Sequence, residues 1–579
     1  MSQNRKQRRI AKNQERKQGL FPPVQNLFDQ AMQHHRAGRV AEAEQLYRQI
    51  LAIDPRHADS LHLLGVIAHQ AGRLDIALDL IGQSIALKPN YAVARSLHTL
   101  GQSLQKQGKF DDAASCYERA LALEPDSVEI LNDLGNVSSA QGKPDEAIAF
   151  YKSALALKPD LAPLRSNILL AMIYTASVSP PELAATAREF GQRIADPLRR
   201  PRALIRDAEV ERKLRIGYVS PDFCNHPVNY FFEPLLKQHN RGRFEIFGYS
   251  NTITEDAVTA RLKQEFDHWR DIRPLSDDDA ADLIEADVID ILVDLAGHAA
   301  DNRLLVFARK PAPLQVTWLG YPATTGLAAM DYRITDTCAE PEGLCEHLNV
   351  EALWRLPGMF CCYQAHENSP AVIEHPPFED NGYITFGCFN HFSKVGDPVL
   401  AAWARILEQV PDSRLLLEFV GLDSPKFRAA VEARLQGLGL PLDRVMLEPR
   451  KKSNQFVLYN RIDIALDPFP CNGGTTSMDT LWMGVPLITL EGSHFGSRLG
   501  VTILSNAGMP ELIARNTDDY VQMAVDLALN KPRLRDLRHN LRQKIAASPL
   551  MNQTAFVRDM ETAYREMWRK WCATRSDTE

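Results

Sequence analysis

With 579 residues, 45% of them hydrophobic and 24% charged, the chain has the make-up of a globular protein long enough for roughly three or four domains. A formal net charge of −7 argues against a nucleic-acid enzyme, and no apolar run reaches the ~18 residues of a membrane span. Nine cysteines without a C-x-x-C pair suit neither a disulfide framework nor a zinc site, so the expectation is a cytoplasmic protein with reduced thiols.

The chain opens on a basic stretch, residues 1–20, with no hydrophobic segment to make it a secretory signal; it reads as a solvated, disordered arm. Residues 21–175 then repeat themselves. Pro55, Pro89, Pro125 and Pro159 recur at steps of 34, 36 and 34, and the turn glycines Gly38, Gly72, Gly108 and Gly142 keep the same steps. Small residues Ala43, Ala77, Ala113 and Ala147 mark close helix approaches, with Tyr47, Ile81, Tyr117 and Tyr151 one turn later. A helix–turn–helix unit of this length and pattern resembles the tetratricopeptide repeat, about four units plus a capping helix, stacked into a superhelix whose concave face holds extended peptide segments. That the array only stiffens the molecule or pairs two copies as a homodimer stays open.

Linker helices are expected over 176–206. From 207 the pattern changes to short apolar runs alternating with helical segments: 214–220, 244–250, 288–297, 314–320 and 331–337, then 383–390, 413–421, 445–449, 463–469 and 486–492. Such runs imply parallel sheets covered on both faces, hence two doubly wound, Rossmann-like domains over 207–375 and 376–545 with ligand at the carboxyl ends of their strands. The fold class is therefore α + α/β. The last segment, 546–579, places Phe556, Met560, Tyr564, Met567, Trp568 and Trp571 on one helical stripe, expected to return onto the first sheet domain as core.

The chain has no nucleoside-triphosphate loop, no G-x-G-x-x-G after the first strand and no G-x-S-x-G elbow. Polar residues instead gather at strand ends. "FNHFSK" supplies His391 and Lys394, "EPRKKSNQF" supplies Lys452 and Gln455, and "CNGGTTSMD" supplies Thr475, Thr476 and Asp479. A lysine, two hydroxyls and a helix N-terminus suit a diphosphate, and a carboxylate a few residues into the helix suits ribose hydroxyls; an ordinary side-chain N-cap would read the same way. In the first sheet domain "SPDFCNHPV" places His226 after the first strand, able to act as a base or to orient a hydroxyl. His298 in "LAGHAADN", and Gly320, Tyr321 and Pro322 with the hydroxyls of Thr324 and Thr325 in "WLGYPATTG", suit a sugar or acceptor pocket.

Together, the repeats and the ordered motifs "RIGYVSPDFCNHPV", "ILVDLAGH", "RKPAPLQVTWLGYPATTG", "FGCFNHFSK" and "CNGGTTSMDTLWMGVPLITL" resemble the protein O-GlcNAc transferase family, particularly its bacterial members. The resemblance implies a GT-B pair of domains, a UDP-sugar donor, no metal or other cofactor, and transfer with inversion to Ser or Thr of proteins or peptides. It also implies roles: Lys394, Thr475 and Thr476 on the diphosphate, Asp479 on the ribose, Lys452 at the nucleoside, and His226 in the active site. The chain departs from the animal pattern at His391, Gln455, Gly474 and Asp290, where that pattern has other residues; His298 is a candidate substitute for the histidine missing at 290. The departures leave the donor open between UDP-GlcNAc and, within the same family, GDP-fucose or an N-glucosylating variant, and a catalytically silent repeat adaptor is the reading from another class.

Overall fold

The computed structural model describes residues 22–88, 93–200, 209–451 and 456–576. The chain forms two compact units, divided at Ser138 and Ser139 apart from a five-residue segment near 425.

In the first unit, helices run in antiparallel pairs, beginning Pro22–Arg36 with Val40–Ile53 and Ala58–Gln70 with Leu74–Leu87. Each pair turns at a glycine held at positive φ, +73° at Gly38 and +71° at Gly72, where a side chain would be strained. Tyr47, Ala43 and Ile50 are sealed between helices. At Gly101 a β-carbon would stand 2.4 Å from the Tyr117 ring, so the small residue sets the approach of the two helices. This is the helical-repeat architecture that the 34-residue spacing anticipates.

The second unit begins with the remaining helices, Pro144–Leu157, Ala162–Met172 and Pro180–Phe190, and continues into two parallel sheets. The first comprises β1 (Leu214–Ser220), β2 (Phe244–Ser250), β3 (His268–Asp271), β4 (Ile291–Asp294), β5 (Leu314–Thr317), β6 (Tyr332–Asp336) and β7 (Ala352–Leu356), in the order β3-β2-β1-β4-β5-β6-β7. The second comprises β8 (Thr385–Cys388), β9 (Arg414–Phe419), β10 (Val445–Pro449), β11 (Ile464–Leu466), β12 (Leu487–Leu490) and β13 (Ile513–Ala514), in the order β10-β9-β8-β11-β12-β13. Both are Rossmann-like, and both reverse strand order once, between β1 and β4 and between β8 and β11. A doubly wound sheet opens a crevice at that reversal, beyond the carboxyl ends of its strands.

Three strands escape the apolar-run reading: β3 (HWRD), β7 (ALWRL) and β13. Each is at or near a sheet edge, where one side faces water and the near-continuous apolar signature is absent. The helix Gln553–Ser576 returns to the first sheet: Met560, Tyr564, Met567 and Trp568 are fully buried, Tyr564 reaches Tyr218 (3.2 Å), and the Trp568 indole donates to the Glu209 carbonyl (3.1 Å).

Candidate functional site

The crevice of the second sheet is built by the segments leaving β8 and β11. After β8 the chain turns through a short helix, Phe392–Lys394, whose first turn is capped by His391: Nδ1 pairs with the Ser393 hydroxyl at 2.7 Å. His391 therefore shapes the turn, and burial pushes its imidazole down to about 4. Lys394 extends from this turn to the other segment, where Nζ donates to the Asn472 carbonyl at 2.6 Å.

After β11 the chain passes Asp467 and a tight loop into the helix Thr475–Trp482. Asp467 is buried and organises that loop. Its Oδ1 accepts from the Gly473 N–H (2.7 Å) and its Oδ2 from the Thr489 hydroxyl (2.8 Å), while burial pushes its carboxyl up to about 6 against these bonds. Asn472, fully buried, donates to the Pro468 carbonyl and receives the Gly500 N–H. The helix starts at Gly474 with no side chain capping it. The ordinary N-cap reading thus fails, and the first-turn N–H groups of Thr475 and Thr476 are left to a ligand or to water beside a lysine ammonium. An anion placed there meets positive ends from two sides.

Asp479 lies one turn further along the helix. Tyr363, from the segment connecting the two sheets, donates its hydroxyl to Oδ1, and burial pushes the carboxyl up to about 7 against the opposing effects of Tyr363 and Arg450. Lys452 and Gln455 lie outside the described residues.

In the first sheet, the loop after β1 carries His226 into the helix Asn229–Gln238. Its ring is 42% exposed; Nδ1 accepts weakly from the Val228 N–H (3.4 Å) and stands 3.6 Å from an Asp222 carboxylate oxygen. Burial raises the Asp222 carboxyl, and the neighbouring imidazole works against that rise. His226 borders a cavity of about 150 Å³ closed by Tyr230, Arg261 and the segment from Gln364 to Asn368. Glu233, at its floor, is locked by Arg261 at 2.7 and 2.9 Å and by Lys237 at 2.8 Å.

One segment joins the two crevices. The Gln364 N–H donates to the Tyr230 carbonyl (2.7 Å) three residues beyond Pro227, while the preceding residue, Tyr363, holds Asp479. The His226 loop and the Thr475–Trp482 helix are thereby tied to one stretch of backbone.

The expected sugar and acceptor pocket is corrected in most of its residues. His298 is only 1% exposed, with Nδ1 paired to the Ser166 hydroxyl and Nε2 to the Thr325 carbonyl, both at 2.9 Å, and burial pushes its imidazole down to about 4. It is a neutral core histidine and cannot replace a group at position 290, where Asp290 is itself buried and clamped by Arg212. Gly320 is a packing glycine: a β-carbon would stand 2.0 Å from the Leu295 carbonyl oxygen. Tyr321 is buried and donates to the Leu169 carbonyl (3.1 Å). The hydroxyls of Thr324 and Thr325 are engaged by the buried Glu351. Pro322, like Gly320, remains partly exposed, and it lies beside a small cavity with His494 and Phe495. Apolar neighbours and sealed hydroxyls explain these placements; the motif's polarity serves the domain core.

Four residues of the site carried no reading from sequence: Asp467, Asn472, Tyr363 and Arg450. Asp467 was open to inference, since a lone carboxylate ending an apolar strand must find buried donors. Tyr363 sits in an irregular connector and gives no local signal. Among the described residues no group of three or more His, Cys, Asp or Glu side chains could hold a metal ion, and no helix is long and apolar enough to cross a membrane.

Comparison with known proteins agrees with this architecture. A sequence model described as glycosyl transferase family 41 matches residues 197–367 and 378–560, and tetratricopeptide-repeat models match 27–49, 56–126 and 98–162. Two curated relatives, each named as a probable UDP-N-acetylglucosamine–peptide N-acetylglucosaminyltransferase SPINDLY, are 39% (Petunia hybrida) and 40% (Arabidopsis thaliana) identical over 412 residues. Those matches cover 70% of this chain and 44% and 45% of the relatives, so the chain spans less than half their length. A solved structure of a lysine-to-methionine mutant of the Thermobaculum terrenum O-GlcNAc transferase superposes with a TM-score of 0.78 at 34% identity, over 95% of this chain and 98% of that one.

Proposed function

The chain belongs to glycosyl transferase family 41, and from that premise we propose that it transfers N-acetylglucosamine from UDP-GlcNAc to Ser or Thr hydroxyls of proteins or peptides held by its repeats. The observation that carries this reading is the Lys394 ammonium bound to the Asn472 carbonyl, in the loop that leads into the uncapped N-terminus of the Thr475–Trp482 helix, across the strand reversal of the second sheet. Two positive groups converge where a leaving diphosphate needs them, and neither depends on a metal. The nine cysteines are all free thiols, which suits the reducing cytoplasm.

In this reading the acceptor oxygen attacks the anomeric carbon from the face opposite the leaving group, inverting the centre. The C–O bond to the β-phosphate breaks, and the nucleoside diphosphate departs with the bonding pair. Lys394 and the N–H groups of Thr475 and Thr476 neutralise the charge growing on that phosphate. His226 orients the acceptor hydroxyl or takes its proton, half-exposed at the mouth of the first crevice. Asp479 receives the ribose hydroxyls.

The test is nucleoside-diphosphate release from UDP-GlcNAc, UDP-glucose and GDP-fucose, with and without cell-extract protein. Release from UDP-GlcNAc alone, together with sugar on Ser or Thr in the acceptor, supports the proposal; GDP release from GDP-fucose reassigns the donor within the family, and no release with any donor makes the chain an adaptor. Lys394→Ala is expected to lower turnover by about 10²–10³-fold with an unchanged melting temperature. Wild-type turnover in that variant overturns the diphosphate site.

A further inference from the structure

We propose that Tyr363 is a positioning residue of the donor site: its hydroxyl pins one oxygen of Asp479 so that the other meets the ribose diol of a nucleoside diphosphate. The inference rests on the reading of Asp479 as the ribose acceptor and goes beyond it, because Tyr363 belongs to no motif and comes from outside the nucleotide-binding sheet.

Tyr363 is 0% exposed and immobilised on three sides. Its N–H donates to the Leu550 carbonyl (2.8 Å), its ring packs 5.8 Å from that of Phe231, and the next N–H, of Gln364, donates to Tyr230 (2.7 Å). A hydroxyl delivered by so fixed a backbone cannot follow a carboxylate that swings, so the carboxylate must stand where the hydroxyl is. Among the described residues the only hydrogen bond made by Asp479's side chain is this one, to Oδ1; Oδ2 is left as the acceptor for a ligand. Asp479 is four residues after Thr475, so the two share a helix face and the carboxylate stands one turn from the N–H groups assigned to the diphosphate. That is the order in which a nucleoside diphosphate presents its groups, phosphates and then ribose.

The physical need for the tyrosine is charge. A buried carboxylate close to a diphosphate is repelled by it and favours its neutral form, which accepts poorly from a diol. Donation from Tyr363 favours the ionised form and, by occupying one oxygen, fixes the direction of the other. The same contact couples the first domain to the nucleotide helix, since Tyr363 and Gln364 also hold the helix Asn229–Gln238 that follows His226.

The experiment compares the full-length wild type with Tyr363→Phe, Asp479→Asn, Asp479→Glu and the Tyr363→Phe, Asp479→Asn double variant. Affinities for UDP and 2′-deoxy-UDP are measured calorimetrically, and KM and kcat with UDP-GlcNAc; GDP, its deoxy form and GDP-fucose replace them where the wild type takes those. Loss of a hydrogen bond to a charged group lowers affinity by about 10- to 100-fold. Tyr363→Phe is expected to raise KM by that range with kcat within about twofold, to lose most of the discrimination against the 2′-deoxy compound, and to add nothing in the double variant. Asp479→Glu, which leaves the packing of Tyr363 alone, is expected to lose the discrimination as well. Retained discrimination in Tyr363→Phe, or equal weakening of both nucleotides with a collapsed melting temperature, overturns the inference and leaves the tyrosine a structural tie. Retained discrimination in Asp479→Asn overturns the ribose assignment itself, and the inference with it.

Discussion

The two adjacent glycines at the helix entrance allow a sharp test, because the structure assigns them opposite tolerances. At Gly473 a β-carbon would stand 2.3 Å from the Ser477 hydroxyl, 3.0 Å from Asn390 Oδ1 and 3.1 Å from Asp467 Oδ1. Rotation of Ser477 relieves the first contact and forfeits only its long 3.4 Å bond to Asp467. The other two persist, because Asp467 is held by the Gly473 N–H and by Thr489. Gly473→Ala must therefore displace the loop by a few tenths of an ångström, an overpacking cost of about 1–3 kcal/mol. That loop carries the Asn472 carbonyl opposite Lys394 and leads into Thr475, so the cost falls on the proposed anion site and corresponds to about 5- to 150-fold in nucleotide affinity. At Gly474, with φ −107° and nothing within 4 Å, an added β-carbon meets open space. Gly474→Ala is expected to change affinity by less than about threefold, the size of a lost N-cap preference. The assay is calorimetric titration of both variants with the nucleoside diphosphate that the wild type binds, alongside thermal melting. Equal affinities, or the greater loss at Gly474, would refute the account of how Asp467 and Gly473 build this loop.

Two further outcomes separate core from site in the first sheet domain. Burial pushes the His298 imidazole down to about 4 from about 6.5 in the unfolded chain, so stability is full above pH 6.5 and is lost progressively as pH falls from 6.5 to 4, by up to about 3 kcal/mol. His298→Gln should remove this acid loss in urea unfolding at pH 7, 5.5 and 4.5; the buried carboxyls of Asp294, Asp463 and Asp467, raised to about 6, have the opposite slope and cancel in the comparison. An unchanged slope would mean that His298 is not buried neutral. Gly320→Ala, whose β-carbon would meet the Leu295 carbonyl at 2.0 Å and the Ala296 α-carbon at 2.7 Å, should lower the melting temperature without selective loss of donor affinity, and a stable variant with weakened donor binding would return Gly320 to the sugar pocket.

What the sequence made legible follows from how local each cause is. Repeat spacing is written into the chain because every unit must turn at a glycine and pack a small residue against its neighbour, as Gly38 and Ala43 do. Central strands announce themselves because both of their faces are buried, whereas β3 and β7, with one side toward water, do not. Lys394 and the Thr475–Thr476 helix start were readable because strand ends and helix starts are local events that the doubly wound topology then brings to one crevice. The misreadings share a different cause: His298, Tyr321, Thr324 and Thr325 are polar residues at strand ends too, but helices packed over the first sheet supply Ser166 and Leu169 as partners of His298 and Tyr321 from more than a hundred residues away, and the buried Glu351 takes the hydroxyls of Thr324 and Thr325. A polar residue at a strand end is thus a site candidate only where the rest of the chain leaves it unpartnered. Tyr363 is the converse case, silent in its own segment and meaningful only because Asp479, more than a hundred residues later, lies against it. The diphosphate end of the proposed donor site is accordingly a property of local sequence, whereas the ribose end depends on the closure of one sheet domain upon the other.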